Sequence, residues 1–278
     1  MRLTHVSPST LSLAARCGEA LRFKVEGVRE PKSFQMVRGT GVAKAIEANM
    51  IAKLRTGAGL SLDEIADVAR DSVRDELDRE EVRTDLGDDA DGEPITPQDA
   101  TATAIGDAIM LSRLHALAAA PSIIPTGVEV RVTLTSERLA VPFVGIIDLI
   151  AQDGEGEAIR DTKTKAKLPP KTEADDSDQL TAYDALFRAL KGETPTRLVL
   201  DHLVLPTKTL PARYIAQSSA PREEADFAAL SGRIERVVQM VDREVFIPAP
   251  EGAWWCAAKT CGHWRRCVFA RGRARPAS

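Results

Sequence analysis

Two short segments decide the fold of this chain: Gly145-Ile146-Ile147-Asp148-Leu149-Ile150 and, shortly after it, Asp161-Thr162-Lys163-Thr164. Apolar and alternating residues in and around them predict two strands, over 141–150 and 157–164. Between the strands, Asp153-Gly154-Glu155-Gly156 is typical of a hairpin turn. The two strands are therefore expected to be antiparallel neighbours.

The register of this hairpin predicts a charged site. A turn centred on 154–155 places Asp148 directly across from Asp161, because each lies the same distance from the turn. Side chains alternate along a strand, so Lys163 lies on the same side as Asp161. Two facing carboxylates repel each other, and a divalent cation between them reverses that sign. The pattern predicts Mg²⁺ or Mn²⁺ bound by Asp148 and Asp161, with the Thr162 carbonyl as a third ligand.

Such a site can activate water against a phosphodiester. Lys163 would orient or deprotonate that water, or neutralise charge in the transition state. An Asp-x-Lys tripeptide is a weak signal by itself, and the alternative is that both aspartates are surface residues on an edge hairpin. The apolar strand, the Gly-x-x-Asp start and the hairpin spacing together favour the catalytic interpretation.

Two further features follow the hairpin. Lys165, Lys167 and Lys171 form a basic loop, either solvated or in contact with a nucleic-acid backbone. Gln179 and Tyr183 open a predicted helix and share one of its faces, being four residues apart. A pair of this kind is more often packing than function, but here it directly follows the candidate site.

The remaining periodicity predicts an α/β or α+β protein with a mainly mixed sheet. Four helices precede the hairpin, and strands and helices alternate after it. The predicted helices cover 6–24, 38–55, 61–79, 96–120, 178–190 and 220–243, and the further strands cover 128–134, 197–204 and 212–216. The start of the third helix, Ser61-Leu62-Asp63-Glu64, has the spelling of a capping box. A length of 278 residues suits one large domain, and we assign 1–278 to a single unit.

Composition limits the classes of partner. The net charge of −4 gives no global basic field, so nucleic-acid binding would need a local patch such as 160–171 or 265–275. No apolar run is long enough to span a bilayer, and the first residues do not resemble a secretory signal. We therefore expect no membrane association and a cytoplasmic location. The acidic segment 80–96 is expected to be a solvated loop.

The four cysteines lie at the two ends of the chain. Cys17 is remote, whereas Cys256, Cys261 and Cys267 are closely spaced. Structural disulfides are rare in a reducing compartment, so the spacing favours thiolate ligation of a metal or cluster over free buried thiols. Four thiolates suit a [4Fe–4S] cluster or a structural Zn²⁺, and spacing alone does not choose between them. His263 is an alternative ligand.

The order of these motifs resembles the RecB-like branch of the PD-(D/E)XK nuclease superfamily. The matching pieces are Gly145 to Asp148, Asp161 to Lys163, Gln179 to Tyr183, and the cysteine motifs at both ends. Relatives in this branch include phage recombination exonucleases, the AddB nuclease domain and CRISPR-adaptation nucleases. The resemblance implies a restriction-endonuclease-like fold and Mg²⁺- or Mn²⁺-dependent cleavage of DNA, often exonucleolytic, in recombination or repair, with a helicase or recombination protein as partner.

The resemblance also implies a division of the chain and a choice of cluster. The nuclease core would span 37–245 with a helical insertion at about 56–120, and 271–278 would be a basic tail. Segments 1–36 and 246–270 would form a cysteine clasp. In this family such a clasp holds iron–sulfur rather than zinc. The clasp would have a structural role.

One position departs from the family pattern. Relatives usually carry a metal-binding histidine where this chain has Ala43. Glu47, one helical turn later, could replace that ligand directly or through water, and Glu129 is a weaker supporting carboxylate. The alternative function is a catalytically impaired DNA-binding or partner-binding protein that kept the fold. A third alternative is a zinc-stapled scaffold without a nucleic-acid role.

Overall fold

A computed structural model describes residues 1–83, 86, 94–137, 139–258 and 260–271. The helices within these residues are α1 (Pro8–Arg16), α2 (Gly18–Val25), α3 (Phe34–Thr56), α4 (Leu62–Arg79), α5 (Pro97–Ala118), α6 (Asp178–Lys191), α7 (Glu224–Asp242) and α8 (Val268–Arg271). The strands are β1 (Pro125–Leu134), β2 (Phe143–Asp153), β3 (Gly156–Lys165), β4 (Leu198–Val204) and β5 (Arg213–Ser219). From α3 to α7 the helices and strands follow the predicted order.

The five strands form one sheet in the order β1-β2-β3-β4-β5. β1, β2 and β3 are antiparallel neighbours, whereas β3 and β4 run parallel and are connected through α6. β5 returns antiparallel to β4. The predicted α/β class with a mixed sheet is therefore confirmed.

The hairpin of β2 and β3 has the predicted register. Asp153 pairs with Gly156 across the turn, and Leu149 pairs with Arg160 at the other end. Gly154 has a φ of 63°, a left-handed conformation that glycine adopts without steric cost. Continuing this register by one position beyond the Leu149–Arg160 pair places Asp148 opposite Asp161.

Each face of the sheet carries its own apolar core. Ile150 and Ile159 belong to the core packed under α1, α6 and α7. Leu149 and Leu203 belong to the core packed under α3, α4 and α5. Burial of each such side chain is worth about 1.5–3 kcal/mol, so the sheet is held between two helical layers. Asp161 shares the α6-facing side with Ile159 by strand alternation.

Side-chain caps set the starts of several helices. The Ser61 hydroxyl accepts a hydrogen bond from the Glu64 backbone N–H at 3.2 Å, and Glu64 Oε2 accepts one from the Ser61 N–H at 2.8 Å. This reciprocal pair is the predicted capping box of α4. Thr96 caps α5 in a similar way by accepting a hydrogen bond from the Asp99 N–H at 3.1 Å.

The prediction of one helix over 6–24 was wrong, because Cys17 separates α1 from α2. Cys17 has extended backbone angles, and the helix restarts at Gly18. The Gly18 N–H donates to the Ile247 carbonyl at 2.7 Å, and a Cβ at Gly18 would lie 2.6 Å from backbone atoms of Ile247. This close approach requires glycine, and it docks the C-terminal segment against the break.

Two predicted segments lie largely outside the described residues. Most of the acidic segment 80–96 is among them, as are residues 272–278 of the basic tail. Within the described parts of the chain, none of the helices has the length and apolar character needed to cross a membrane.

Candidate active site

Five polar side chains from three elements form one continuous chain of contacts. Asp148 comes from β2, Asp161 and Lys163 from β3, and Gln179 and Tyr183 from α6. Lys163 Nζ lies 2.7 Å from Asp161 Oδ2 and donates to Gln179 Oε1 at 2.6 Å. Gln179 Nε2 donates to the Tyr183 hydroxyl at 2.7 Å, which in turn donates to Asp148 Oδ1 at 2.9 Å. The structure thus brings together the five residues predicted as catalytic.

The connection between β3 and β4 explains this convergence. α6 lies between these two strands in the chain and packs against β2 and β3. The Ser177 hydroxyl accepts a hydrogen bond from the Leu180 N–H at 3.2 Å and fixes the first turn of the helix. Gln179 and Tyr183, four residues apart, therefore present one face to the hairpin.

Asp161 is the most constrained group of the site, with only 1% of its surface exposed. Neither carboxylate oxygen accepts a well-directed hydrogen bond from any described residue, although the Lys163 ammonium is in contact with Oδ2. Burial raises the pKa of Asp161 above its ordinary value; Lys163 opposes this shift and Asp148 reinforces it. Asp161 Oδ1 therefore has no partner among the described residues, and a bound cation would supply one.

Tyr183 acts as a hydrogen-bond donor to the carboxylate beside it. Burial raises the pKa of Tyr183 well above its ordinary value, and the charges of Asp148 and Asp161 raise it further. The phenol therefore stays protonated at physiological pH. It holds Asp148 Oδ1 in place without adding a charge to the site.

A cavity of about 210 Å³ lies between α3 and the first three strands of the sheet. Asp148, Thr162 and Lys163 line it on the hairpin side, and Ala43 and Glu47 line it on the helix side. Ala43 is exposed, and the Glu47 carboxylate lies 2.5 Å from Lys44 Nζ. Ala43, where the family resemblance implies a histidine, thus borders the same cavity as Asp148. Glu47, the predicted substitute ligand, borders it too.

Glu129, predicted as a weaker supporting carboxylate, also lines this cavity. Val128 pairs with Leu149 and Val130 with Ile147, so Glu129 occupies the position opposite Asp148 on β1. Burial raises the pKa of Glu129, with further contributions from Asp148 and Glu47. The sequence signal that could have drawn attention to Glu129 is an acid between two valines, Val128 and Val130, in the strand that follows Gly127.

The basic loop is only partly available to a ligand. Lys165 is half-buried and forms an ion pair with Glu173. Lys167 and Lys171 are exposed on the segment that leads into α6. The Pro170 carbonyl accepts a hydrogen bond from Gln217 Nε2 at 2.9 Å, which fixes this segment to β5.

The cysteines from the two ends of the chain lie near each other. Cys17, Cys256 and Cys261 are partly buried free thiols, and burial, with smaller effects from Cys256 and Cys17, raises the pKa of Cys261. Cys267 is buried and packs in a small cluster with Phe23 and Ala270.

The segment around the cysteines is anchored to the N-terminal helices. Trp255 Nε1 donates to the Arg16 carbonyl at 3.2 Å. His263, the alternative ligand, stacks on the Phe23 ring with centroids 4.6 Å apart. Trp255 and His263 therefore hold the cysteine-rich segment against α1 and α2.

The types of donor atom at the carboxylate site and at the cysteines are those that the predicted cation and the predicted cluster need. Among the described residues, no group of three or more histidine, cysteine, aspartate or glutamate side chains is arranged to hold a metal ion. The buried, unsatisfied Asp161 beside Asp148 nevertheless has the hard oxygen donors that Mg²⁺ or Mn²⁺ requires. The thiols have the soft donors that iron–sulfur clusters and zinc require.

Comparisons with known proteins complete this description. No curated protein matches the chain. The solved structure of SSO0001 is similar over 96% of this chain and 88% of its own, with 13% sequence identity and a TM-score of 0.44. The model of the PD-(D/E)XK nuclease superfamily matches residues 5–268, and the mixed sheet with flanking helices fits a restriction-endonuclease-like fold. The chain therefore belongs to the PD-(D/E)XK nuclease superfamily, and this membership implies a metal-dependent nuclease.

Proposed function

We propose that this chain is a metal-dependent exonuclease that hydrolyses phosphodiester bonds in DNA. One observation carries the proposal: the buried Asp161 lies beside Asp148 without a well-directed hydrogen bond from a described residue. Asp148 and Asp161 together carry one more negative charge than the Lys163 ammonium neutralises, and burial makes that excess costly unless a cation balances it. Asp148 and Asp161 would hold Mg²⁺ or Mn²⁺, with the Thr162 carbonyl and Glu47 as further ligands.

The neighbouring side chains have separate tasks in this proposal. When bound, the cation supplies polarisation of the phosphate and a water of lowered pKa. Lys163 orients or deprotonates that water, or stabilises the developing charge. Gln179 holds the Lys163 ammonium through their 2.6 Å hydrogen bond. Tyr183 holds Asp148 through its own hydrogen bond of 2.9 Å.

DNA would approach along the segment that follows β3. The exposed Lys167 and Lys171, together with Lys165, would contact the phosphate backbone next to the hydrolytic site. The net charge of −4 makes such a local patch necessary. A role in recombination, repair or DNA processing, in the cytoplasm and with a helicase or recombination partner, follows from the RecB-like order of the motifs.

The cysteines would form a structural clasp around a [4Fe–4S] cluster, with Zn²⁺ as the alternative. The neighbourhood of Cys17, Cys256 and Cys261 supports this proposal, with Cys267 as the fourth ligand. A link between positions 17 and 256–267 would close nearly the whole chain and restrict its unfolded state. An absorbance band near about 400 nm would favour iron–sulfur over zinc.

A nuclease assay tests the proposed activity. Linear and circular DNA are incubated with Mg²⁺ or Mn²⁺ and with wild type, Asp161→Asn, Lys163→Ala or the control Lys208→Ala, which changes an exposed lysine of the β4–β5 loop. We expect cation-dependent degradation of linear DNA only, unchanged in the control and at least about 100-fold slower in the two site variants. Equal rates in wild type and Asp161→Asn would overturn the proposal.

The second candidate function is a catalytically impaired DNA-binding or partner-binding protein. Ala43 favours it, because this exposed methyl group lines the cavity where relatives have an imidazole ligand. The Ala43→His variant distinguishes the two functions. Cleavage by this variant in Mn²⁺, with an inactive wild type that still binds DNA, would favour the impaired protein.

A further inference from the structure

Glu129 occupies an unusual backbone conformation at the edge of the cavity. Its φ of 51° lies in the left-handed region, which residues other than glycine rarely adopt. The register places it opposite Asp148, with Val128 and Val130 paired on either side. Its carboxylate borders the same cavity as Asp148 and Glu47. The strand thus turns a half-buried acid toward two other acids, an arrangement that repulsion alone would disfavour.

The carboxylates at this corner outnumber the ammonium groups beside them. The four acids are Glu47, Glu129, Asp148 and Asp161. Lys44 Nζ lies 2.5 Å from Glu47 and Lys163 Nζ lies 2.7 Å from Asp161. With all six groups ionised, the formal balance is −2, which one divalent cation neutralises. Apart from the contact of its Oδ2 with Lys163, the buried Asp161 has no well-directed donor among the described residues, which is an independent sign that a ligand belongs here.

We propose that Glu129 is a further ligand of the divalent cation, bound directly or through one water molecule, and that it takes over for the histidine absent at Ala43. The inference rests on the proposed function, since it concerns the same cation site. The resulting side-chain donors are carboxylates alone. Such a donor set suits hard cations such as Mg²⁺ or Mn²⁺.

Calorimetric titration of the full chain with Mg²⁺ alone and with Mn²⁺ alone tests this role. The variants are Glu129→Gln, which keeps the shape and removes the charge, and Glu155→Gln, which removes an equal charge at the exposed turn of the hairpin. We expect the Kd for Mg²⁺ to rise at least about tenfold in Glu129→Gln and to stay within about twofold of wild type in Glu155→Gln.

A second readout separates a ligand from a structural residue. Without a cation, Glu129→Gln should melt at a higher temperature than wild type, because it removes repulsion between carboxylates. On addition of Mg²⁺, the melting temperature of Glu129→Gln should rise by less than that of wild type. If this variant bound Mg²⁺ with wild-type affinity and its melting temperature rose as much as that of wild type, the inference would be overturned.

An Asp161→Asn arm separates the failure of this inference from the failure of the proposed function. Lost cation binding in Asp161→Asn with wild-type binding in Glu129→Gln would overturn the role of Glu129 only. Binding that is unchanged in both variants, or absent in wild type, would overturn the cation site and with it the inference.

Discussion

Two buried aspartates on neighbouring strands of the sheet have opposite surroundings. Asp201 on β4 is fully buried and accepts hydrogen bonds from Arg160 at 2.9 and 2.7 Å and from the Tyr214 hydroxyl at 2.7 Å. Asp161 on β3 is equally buried, faces the acid Asp148 and has oxygens without a well-directed donor among the described residues. The Asp201 charge is neutralised by the fold, whereas the single Lys163 ammonium beside Asp161 leaves the Asp148–Asp161 pair with one negative charge in excess.

This difference distinguishes a structural acid from a candidate functional one. Removing one partner of a buried, fully hydrogen-bonded ion pair destabilises the folded protein. Removing a buried charge that faces another acid should instead stabilise the folded protein. Burial and residue type are the same in both cases, so only the partners distinguish the structural aspartate from the candidate cation ligand.

The largest expected effect is on the structural side of this comparison. Asp201→Asn should lower the free energy of unfolding by about 3–5 kcal/mol, because it leaves the Arg160 guanidinium buried without a counter-charge. Urea denaturation in the absence of divalent cations measures the change, with Asp161→Asn as the matched variant. A loss of the same size in both variants would remove the distinction between the two aspartates.

The next prediction concerns acid stability near Asp201. His115 on α5 is fully buried, and neither ring nitrogen has a hydrogen-bond partner among the described residues. Burial lowers the pKa of His115 from 6.5 to about 4; Asp201 opposes this shift and Arg160 reinforces it. Between these values the unfolded chain binds more protons than the folded one. The free energy of unfolding should therefore fall as the pH drops from 6.5 towards 4.

The contribution of His115 should reach about 3 kcal/mol at the acidic end of that range. His115→Leu should remove this part of the pH dependence, and His5→Leu, at an exposed histidine, should keep it. Urea denaturation at a series of pH values measures both. An unchanged slope in His115→Leu would show that this histidine does not titrate on unfolding in that range.

Two tyrosines extend the comparison at a smaller scale. Tyr183 donates to Asp148 and Tyr214 donates to Asp201, at 2.9 and 2.7 Å. Tyr214→Phe should lower the free energy of unfolding by about 1–3 kcal/mol with little change in cleavage rate. Tyr183→Phe should slow cleavage about tenfold and raise the Kd for the cation, because Asp148 loses the group that orients it. Equal effects of both changes on the cleavage rate would contradict this division.

The hairpin and its register could be predicted from the sequence because they depend on local signals. The turn spacing places Asp148 opposite Asp161, and helical spacing joins Gln179 to Tyr183. The break at Cys17 depends instead on Ile247, more than two hundred residues away. No local pattern reports such a contact.

The electrostatics of the site were likewise beyond sequence reasoning. Asp201 lies in a strand that is buried throughout, and its carboxylate is hydrogen-bonded by Arg160 of the neighbouring strand. Glu129 has a left-handed backbone where β1 pairs with β2 at the cavity, which no local pattern predicts. Which acid is paired and which is not is a property of the packed sheet, not of either strand alone.

The most direct test of the cation site compares the melting temperatures of wild type and Asp161→Asn at pH 8, with and without Mg²⁺. We predict a reversal. Without Mg²⁺ the variant melts at the higher temperature, because it lacks a buried charge. With saturating Mg²⁺ the wild-type protein melts at the higher temperature. If Mg²⁺ shifted both proteins equally, or shifted neither, Asp161 would not be a ligand and the proposed chemistry would be contradicted.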